Sequence, residues 1–397
     1  MRVLMISCDP SAAVVEGGRH IGNLQQRLVE YGRHLDYLYC VTYTPKDRAL
    51  YKRQKLSDNV EVFPSLSRNI VFFTWDAYRI ASEICRHDDI DVITTQDPIF
   101  CGIAGLALKY RYRKPLLVQV HGDSLDNKYW LRERRVRYLL NVVGKFVLRR
   151  ADGIRVVSER VKKRIMDMGI AEERIFKLPI YIDVKKFSDA RGGEEIRRRF
   201  SHYDNIVLFV GRLAKEKNIP NLLKAAAIVI KKFPRTLFLI VGDGPEREKL
   251  ERLAKELQIE NNVVFEGLIE HDRLPAYYKA CDVFVLPSDH EGRAMVLVEA
   301  MAAGRAVIST EVSGADDVIQ EGKTGFIVPV GNHKALADKL RYLIENPSLR
   351  IEVGRKAQEF ALETQDIKSN AMLQRKIYET LLEIIENDPL ADNRRGC

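Results

Sequence analysis

Two glutamates separated by eight positions, Glu291 and Glu299, lie in the segment SDHEGRAMVLVEAMAAG over residues 288–304. The first falls in a loop after an apolar strand pattern, and the second falls within a helix pattern that starts near Ala294. A carboxylate on an otherwise apolar helix is costly to bury without a partner. Carboxylates accept hydrogen bonds from vicinal hydroxyls, so a bound sugar and a ribose would supply partners for the two glutamates. The alternative is that Glu299 forms an internal salt bridge.

Two cations five positions apart, Arg212 and Lys217, occupy the segment GRLAKEKN in a loop that leaves another strand pattern. Asn218 is a favourable N-cap, and Pro220 suits the first turn of the helix that follows. Cations beside a helix N-terminus form a site for phosphate groups. The segment therefore predicts a diphosphate site, with a pair of solvated loop charges as the alternative.

The segment VGDGPE over 241–246 resembles the glycine turn of a dinucleotide-binding protein, but Arg247 stands where the third glycine is expected. The segment after the first strand, SCDPSAAVVEGG, does not match that motif either. An incomplete glycine motif is weak evidence, and a plain strand-to-helix turn explains it equally well. A hydride-transferring dehydrogenase is therefore disfavoured.

Short apolar strand patterns alternate with helix patterns along the whole chain. The predicted strands cover residues 2–7, 91–96, 115–122, 153–158, 205–212, 236–244, 262–267, 282–288, 305–310 and 325–330. The predicted helices of the first half cover about 20–32, 99–112, 130–150 and 159–168. Continuous apolar strands spaced by helices indicate parallel sheets that are buried on both faces. The polar stretch 188–205 interrupts this alternation, so a domain boundary is predicted near residue 185.

The length of 397 residues predicts two domains, each a doubly wound α/β sheet with ligands at the carboxyl ends of its strands. Six scattered cysteines without a Cys-x-x-Cys pair disfavour a zinc ribbon or a disulfide framework and fit a reducing cytoplasm. The apolar run at the N-terminus is too short for a signal peptide, and no window is long enough to span a membrane. We therefore expect a soluble protein or one that lies on a membrane surface.

The net charge of +9 comes from one segment, residues 128–164, which holds 13 basic and 3 acidic residues. Within it, the predicted helix 130–150 has an apolar stripe that is expected to pack on the sheet. That stripe consists of Val136, Leu139, Leu140, Val143 and Val147. The density of cations around it predicts binding to an anionic membrane surface. The segment NIVFFTW over 69–75 is a second membrane candidate, although a core strand is favoured there.

Nucleic-acid binding is the other partner class that basic charge suggests. The sequence contains no recognition-helix motif, no set of aromatic residues for base stacking and no basic repeat. A scaffold protein that binds nucleic acid is therefore disfavoured.

The motifs taken together resemble the retaining glycosyltransferases of the large family 4. The resemblance rests on Gly17-Gly18, His121-Gly-Asp, Gly211-Arg212 with Lys217, VGDGPE, and the Glu291–Glu299 pair in LVEAMAAG, in that order and spacing. It spans Met1 to about Val330. It implies the GT-B fold, in which two Rossmann-like domains face each other across a cleft and a C-terminal helix crosses back to the first domain. The implied divisions are 1–185 for the acceptor, 186–365 for the donor, 366–388 for the helix and 389–397 for a disordered tail.

The resemblance also implies roles for individual residues. Arg212 and Lys217 would neutralise the leaving diphosphate, Glu291 would hold the transferred sugar and Glu299 the ribose, while His121 would touch the sugar near the reacting centre. The remaining implied donor contacts are Gly17, Gly18, Gly211, Gly242, Gly267, Leu268, Gly292, Arg293, Ala294 and Met295.

The implied reaction moves a hexose-type sugar from a nucleotide-diphosphate sugar, the co-substrate, to a lipid-linked or other saccharide acceptor with retention of configuration. The resemblance also implies that neither a cofactor nor a divalent metal is needed, and the absence of an Asp-x-Asp motif from the cleft segments is consistent with this. Arg293 and Ala294 depart from the family pattern, so the sugar stays open, as does the choice between UDP and GDP. A nucleotide-sugar 2-epimerase shares the fold and remains an alternative.

Overall fold

The computed structural model describes residues 1–13, 24–45, 53–180, 182–291, 294–364 and 367–387. The chain forms two compact units, one made of Met1–Ile180 with Ile367–Cys397 and the other of Tyr181–Asp366. The predicted tail 389–397 lies outside the described residues. No helix among the described residues is long and apolar enough to cross a membrane.

The first unit is built on an eight-stranded sheet with the order β3-β4-β2-β1-β5-β6-β7-β8. Its strands are β1 (Arg2–Ser7), β2 (Tyr37–Thr42), β3 (Gln54–Ser57), β4 (Val60–Pro64), β5 (Val92–Thr95), β6 (Leu116–Val120), β7 (Gly153–Val156) and β8 (Ile175–Lys177). The pairing is parallel except at the edge, where β3 runs antiparallel to β4. Most strand residues are fully buried, as expected for a sheet with helices on both faces.

Six helices connect these strands: α1 (Leu24–Gly32), α2 (Ile70–His87), α3 (Phe100–Tyr112), α4 (Lys128–Glu133), α5 (Val136–Arg150) and α6 (Glu159–Asp167). The helices α2, α3 and α5 lie side by side. Thr74 donates to the carbonyl of Phe100 over 3.2 Å, and Gly102 faces Val147. The connection from β1 to β2 runs the opposite way along the sheet, and right-handed crossovers therefore place α1 on the other face.

The second unit is built on a six-stranded parallel sheet with the order β11-β10-β9-β12-β13-β14. Its strands are β9 (Asn205–Val210), β10 (Thr236–Val241), β11 (Val263–Gly267), β12 (Val283–Leu286), β13 (Ala306–Thr310) and β14 (Phe326–Val328). Its helices are α7 (Val184–Ser188), α8 (Gly193–Arg199), α9 (Ile219–Lys232), α10 (Arg247–Glu256), α11 (Leu274–Ala280), α12 (Met295–Ala302), α13 (His333–Glu345) and α14 (Pro347–Thr364). Alternate residues of β9 pack into two separate cores, Leu208 into one and Phe209 into the other.

All ten predicted strands are present, with ends shifted by up to three residues. The prediction for 69–75 is wrong, since this segment begins α2 instead of forming a core strand. Its aromatic and β-branched residues favour a strand locally, but the Asn69 side chain accepts hydrogen bonds from the amides of Val71 and Phe72 and caps a helix. The strands β2, β3, β4 and β8 were not predicted.

The helix predicted over 130–150 is two helices, because Arg134 adopts an extended backbone between α4 and α5. The prediction that its apolar stripe packs on the sheet is wrong for Val136 and Leu139, which are 54% and 64% exposed. The buried face of α5 is instead formed by Asn141, Gly144, Val147 and Leu148. Because this face contains a polar residue and a glycine, apolar periodicity did not predict it.

The last helix, α15 (Ile367–Glu386), packs on α1 within the first unit. The buried side chain of Asn370 accepts a hydrogen bond from the Tyr31 hydroxyl over 3.2 Å and donates to the Pro179 carbonyl over 2.8 Å. Gln374 accepts a hydrogen bond from the buried guanidinium of Arg155. Polar contacts thus fix the position of this helix on the sheet.

We expect Asn370→Ala to lower the free energy of unfolding by about 1–3 kcal/mol, because it leaves a buried hydroxyl and a buried carbonyl without partners. Urea denaturation of the variant and the wild type measures the change. Asn346→Ala is the matched control, since that side chain is exposed and bonds only within its own helix end. A loss at Asn370 no larger than that of the control would contradict the anchoring role.

Candidate functional site

Three of the predicted site glycines meet at the carboxyl edge of the second sheet. The Gly211 amide donates to the Val241 carbonyl over 3.0 Å, and the Gly242 amide donates to the Gly267 carbonyl over 2.8 Å. A Cβ atom at Gly242 would lie 1.9 Å from the Gly211 carbonyl oxygen, so no larger residue fits there. The glycines therefore let the ends of β9, β10 and β11 approach closely and leave this edge open.

Two loops at this edge are joined by an ion pair. The Lys217 ammonium lies 2.6 Å from Oε1 of Glu291, which also accepts a hydrogen bond from the Ser288 hydroxyl over 2.7 Å. Both charged side chains are largely shielded from solvent, at 19% and 11% exposed. The two residues are 74 positions apart in sequence, and the fold brings them together.

Asn218 and Asp289 form a second link between the same loops, in which the Asn218 amide donates to Asp289 over 2.6 Å. The Asp289 backbone amide also donates to the Glu216 carbonyl over 2.8 Å. Asn218 precedes α9 as predicted, but its side chain does not cap that helix. Its left-handed backbone, with φ 41° and ψ 45°, points the amide toward the other loop instead.

Arg212 and Leu268 are the exposed members of the predicted set. Arg212 follows Gly211 in the loop after β9, and its side chain reaches solvent. Leu268 is 76% exposed and follows Gly267, whose φ of 80° turns the chain at the end of β11. Such a leucine presents an apolar surface that a planar base would cover.

Glu299 is 4% exposed within α12, and the expectation that it lacks a protein partner is wrong. The Tyr278 hydroxyl donates to Oε2 of Glu299 over 2.7 Å, and Nε2 of His271 lies 3.7 Å from Oε1. Burial, with Glu299 as the next cause, raises the pKa of Tyr278 well above its usual range, so the hydroxyl stays protonated and donates. The sequence of α12 alone could not predict this partner, because Tyr278 lies on α11.

The start of α12 lies beside these carboxylates. Ala294 occupies the N-cap position and is buried, and Met295 is the first helical residue. Neither side chain caps the helix, and among its first amides that of Leu297 donates to the Ala294 carbonyl over 2.9 Å. The amides of Met295 and Val296 have no acceptor within the helix itself. The predicted contacts Gly292 and Arg293 lie outside the described residues, as do Gly17 and Gly18 of the first unit.

His121 follows β6 at the carboxyl edge of the first sheet, and its Nε2 atom is buried without a hydrogen-bond partner among the described residues. Burial, then Arg155 and Arg27, lower the pKa of His121 well below its usual range. The imidazole is therefore neutral at physiological pH. It can donate or accept one hydrogen bond, and it does not supply a positive charge.

One group of possible metal ligands occurs among the described residues, formed by Cys8, Asp97 and Cys101, whose ligand atoms lie within 4.8 Å of one another. This group was not predicted from the sequence, because Cys8 and Cys101 are 93 positions apart. Oδ1 of Asp97 accepts the amides of Ile99 and Phe100, and Oδ2 accepts the Cys101 amide and the Cys8 thiol. The carboxylate thus already serves as the cap of α3.

The two halves of the chain each match a family model. Residues 17–186 match the model described as Glycosyltransferase Family 4, and residues 194–360 match Glycosyl transferases group 1. Together they cover most of the chain.

The chain belongs to glycosyltransferase family 4.

Among relatives, it is 28% identical to N-acetyl-alpha-D-glucosaminyl L-malate synthase of Bacillus anthracis over 98% of each chain. It is 25% identical to alpha-monoglucosyldiacylglycerol synthase of Streptococcus pneumoniae, over 78% of this chain and 76% of that protein.

The structure of Anabaena HepE in complex with UDP superimposes with a TM-score of 0.76, at 18% identity, over 96% of this chain and 100% of the other. The GT-B fold and the transferase class predicted from the sequence are thereby confirmed.

The pKa of His121 predicts how the stability of this glycosyltransferase depends on pH. The unfolded histidine binds a proton below pH about 6.5, whereas the folded one does not until a much lower pH. The free energy of unfolding therefore falls as the pH drops below that value, by at most about 1.4 kcal/mol per pH unit from this residue.

The substitution His121→Gln should remove this contribution to the pH dependence of the free energy of unfolding. Urea denaturation at pH 7.5 and pH 5.5 should show a smaller acid loss in the variant than in the wild type. Equal losses in the two proteins would show that His121 titrates normally in the folded state.

Proposed function

We propose that this glycosyltransferase moves a hexose-type sugar from a nucleotide-diphosphate sugar to a lipid-linked or other cell-envelope glycoconjugate acceptor. The configuration at the anomeric carbon is retained, and neither metal nor cofactor takes part. The observation that carries the proposal is the Lys217–Glu291 ion pair beside the start of α12, with the buried Glu299 on the same helix.

The diphosphate of the donor would bind Arg212 and Lys217. Arg212 is exposed, and Lys217 is held by Glu291 at the same sheet edge. An ammonium has three donors, so Lys217 can keep its bond to Glu291 and still bind a phosphate oxygen. The amides of Met295 and Val296 at the start of α12 would add to the attraction for negative charge.

The hydroxyls of the donor would bind the two glutamates. Oε1 of Glu299 is too far from His271 for a hydrogen bond, at 3.7 Å, so its lone pairs can accept the ribose hydroxyls. Tyr278 meanwhile holds Oε2 and fixes the orientation of the carboxylate. Oε2 of Glu291 would bind the transferred sugar, because the contacts of Glu291 with Lys217 and Ser288 both use Oε1.

The fixed cations would stabilise the charge that develops on the departing diphosphate. A phosphate oxygen of the donor would take the proton of the attacking hydroxyl on the same face as the leaving group, which retains the configuration. The neutral His121 would hydrogen-bond the sugar near the reacting carbon.

The choice of donor nucleotide rests on the comparison structures. HepE was solved with UDP, so UDP is the first nucleotide that we propose for this chain. The glucosyldiacylglycerol synthase among the relatives acts at a lipid, which supports a lipid-linked acceptor here.

Glu299→Ala tests the donor site. We expect UDP or a UDP-sugar to raise the thermal midpoint of the wild type and to raise that of Glu299→Ala much less, because ligand binding stabilises the folded state. The panel also includes GDP, ADP and their sugars. Glu345→Ala is the matched control, since Glu345 is exposed and bonds Lys232 far along the sequence from the site.

A variant that keeps the full nucleotide response would contradict the role of Glu299. A larger response to GDP than to UDP would leave the site assignment intact and change the donor.

The membrane part of the proposal rests on an apolar surface of the first unit. We define it by the exposed residues Val71, Phe72 and Trp75 of α2, Ile103 of α3, and Val136, Leu139, Val142 and Phe146 of α5. Three of these side chains, Val71, Trp75 and Leu139, are 64% or more exposed. They occupy neighbouring helices on one face, and most lie in the first turns of those helices. A contiguous exposed apolar patch marks an interaction site.

Cations border the α5 part of this surface. Arg132, Arg134, Arg135, Arg149 and Arg150 are exposed. Other cations of segment 128–164 are neutralised in place, such as Lys145 by Asp126 and Lys162 by Glu172, so fewer charges face a membrane than the sequence count implies. Apolar side chains with flanking arginines suit the interface of an anionic bilayer, and we propose a cytoplasmic protein bound peripherally to the inner face of the plasma membrane.

Flotation with vesicles tests this surface. We expect the wild type to float with phosphatidylglycerol vesicles and not with phosphatidylcholine vesicles. The variant Arg134→Gln/Arg135→Gln should bind about tenfold or more weakly, at roughly 1 kcal/mol per cation. Leu139→Ser/Val142→Ser should also weaken binding, whereas Ile351→Ser, 69% exposed on the second unit, should not. Equal flotation of all variants, or none by the wild type, would contradict membrane binding.

A further inference from the structure

Arg27 is a cation for which the described residues provide no ion-pair partner. It lies in the first turn of α1, and its buried Nε has no hydrogen-bond partner. No carboxylate of the described residues forms an ion pair with it. Burial is the first cause that lowers the pKa of Arg27, and Arg155 lowers it further. Asp9 offsets this only partly, and its Oδ1 is already engaged by Ser11.

The neighbours of Arg27 add further unused donors. The Arg155 guanidinium is 1% exposed and bonds only carbonyl and amide oxygens, namely those of Leu178, Pro179, Gln119 and Gln374. Gln374 gives its oxygen to Arg155, which leaves its buried Nε2 without an acceptor. Nε2 of His121 is also unpaired, and both arginines lower the pKa of this histidine.

These donor groups belong to neighbouring elements of the first unit. Arg27 on α1, Arg155 on β7, Gln374 on α15 and His121 after β6 are linked, because α1 packs on α15, Gln374 accepts a hydrogen bond from Arg155, and both arginines lower the pKa of His121. Arg155 is fully buried, whereas Arg27 is half-buried with its Nε atom shielded from solvent. Buried charges in proteins are normally paired, and leaving one unpaired is costly. A group that satisfies these donors must accept hydrogen bonds and carry negative charge.

We propose that Arg27, with Gln374 and His121 beside it, binds an anionic group, a carboxylate or phosphate, of the acceptor substrate. This inference rests on the proposed transfer reaction and names the chemical class of its acceptor. Arg155 is already bonded on most of its donors and acts as a positioning residue that holds Gln374.

The test uses the thermal midpoint of the full-length protein with added anions at constant ionic strength. Inorganic phosphate should raise the midpoint of the wild type above that seen with chloride. In a matched pair, lactate should raise it and propane-1,2-diol, the neutral compound of the same length, should not. Arg27→Met should lose the lactate response and keep only the part of the phosphate response that the Arg212 and Lys217 site supplies. Arg33→Met should keep both responses in full, because Arg33 is exposed and bonds Glu30. No response in the wild type, or an equal response in Arg27→Met, would overturn the proposal.

Two further readouts separate this proposal from other roles of Arg27. If Arg27 had a purely structural role, its replacement would lower the thermal midpoint even without added anion. If its charge has no partner in the protein, its removal should leave the anion-free midpoint unchanged or higher. A drop of many degrees in both Arg27→Met and Arg27→Lys would therefore overturn the proposal. The UDP response should persist in Arg27→Met. Its loss together with the phosphate response would assign the anion to the donor and overturn the acceptor assignment. The response of the wild type to UDP tests the transferase proposal separately.

Discussion

The ion pair between Lys217 and Glu291 sets the geometry of the second unit's sheet edge. It joins the loop after β9 to the loop after β12, and the bonds of Asp289 to Asn218 and Glu216 secure the same junction. The second loop leads directly into α12, so the position of Glu299 depends on it. The pair is neutral as a whole and largely shielded from solvent, and the ammonium of Lys217 has further hydrogens that a phosphate could accept.

The two units treat buried charge differently. In the second unit Glu291 is matched by Lys217, and Glu299 is matched by the protonated Tyr278. In the first unit no described carboxylate forms an ion pair with Arg27 or Arg155, and burial, together with these two arginines, lowers the pKa of His121 and keeps it neutral. A donor diphosphate would therefore enter a site that is already balanced, whereas an anion in the first unit would relieve an imbalance. Binding in the first unit should therefore depend more strongly on the charge of the ligand than donor binding in the second unit does.

The sequence predicted those features that depend on local pattern. Strands that are apolar along almost their whole length, such as β9 and β10, predicted parallel sheets, and the polar residues after them predicted the carboxyl edges of those sheets. Local pattern failed where a distant contact decided the outcome. The cap of Asn69 turned 69–75 into a helix, Gly144 let α5 bury an unexpected face against Leu125, and Tyr278 on another helix satisfied Glu299. Arg27 belongs to no sequence motif, and only the fold shows that no described carboxylate forms an ion pair with it.

The glycine motif VGDGPE is explained by packing before any ligand is considered. A Cβ atom at Gly242 would lie 1.9 Å from the Gly211 carbonyl, and one at Gly244 would lie 2.5 Å from the Leu213 carbonyl. Both glycines are thus required for β10 and its turn to approach the loop after β9. Because packing alone accounts for these glycines, the motif by itself carries no information on the base or the sugar. Under the proposed function, specificity would come from side chains beside the glycines, such as Glu291, Glu299 and the exposed Leu268.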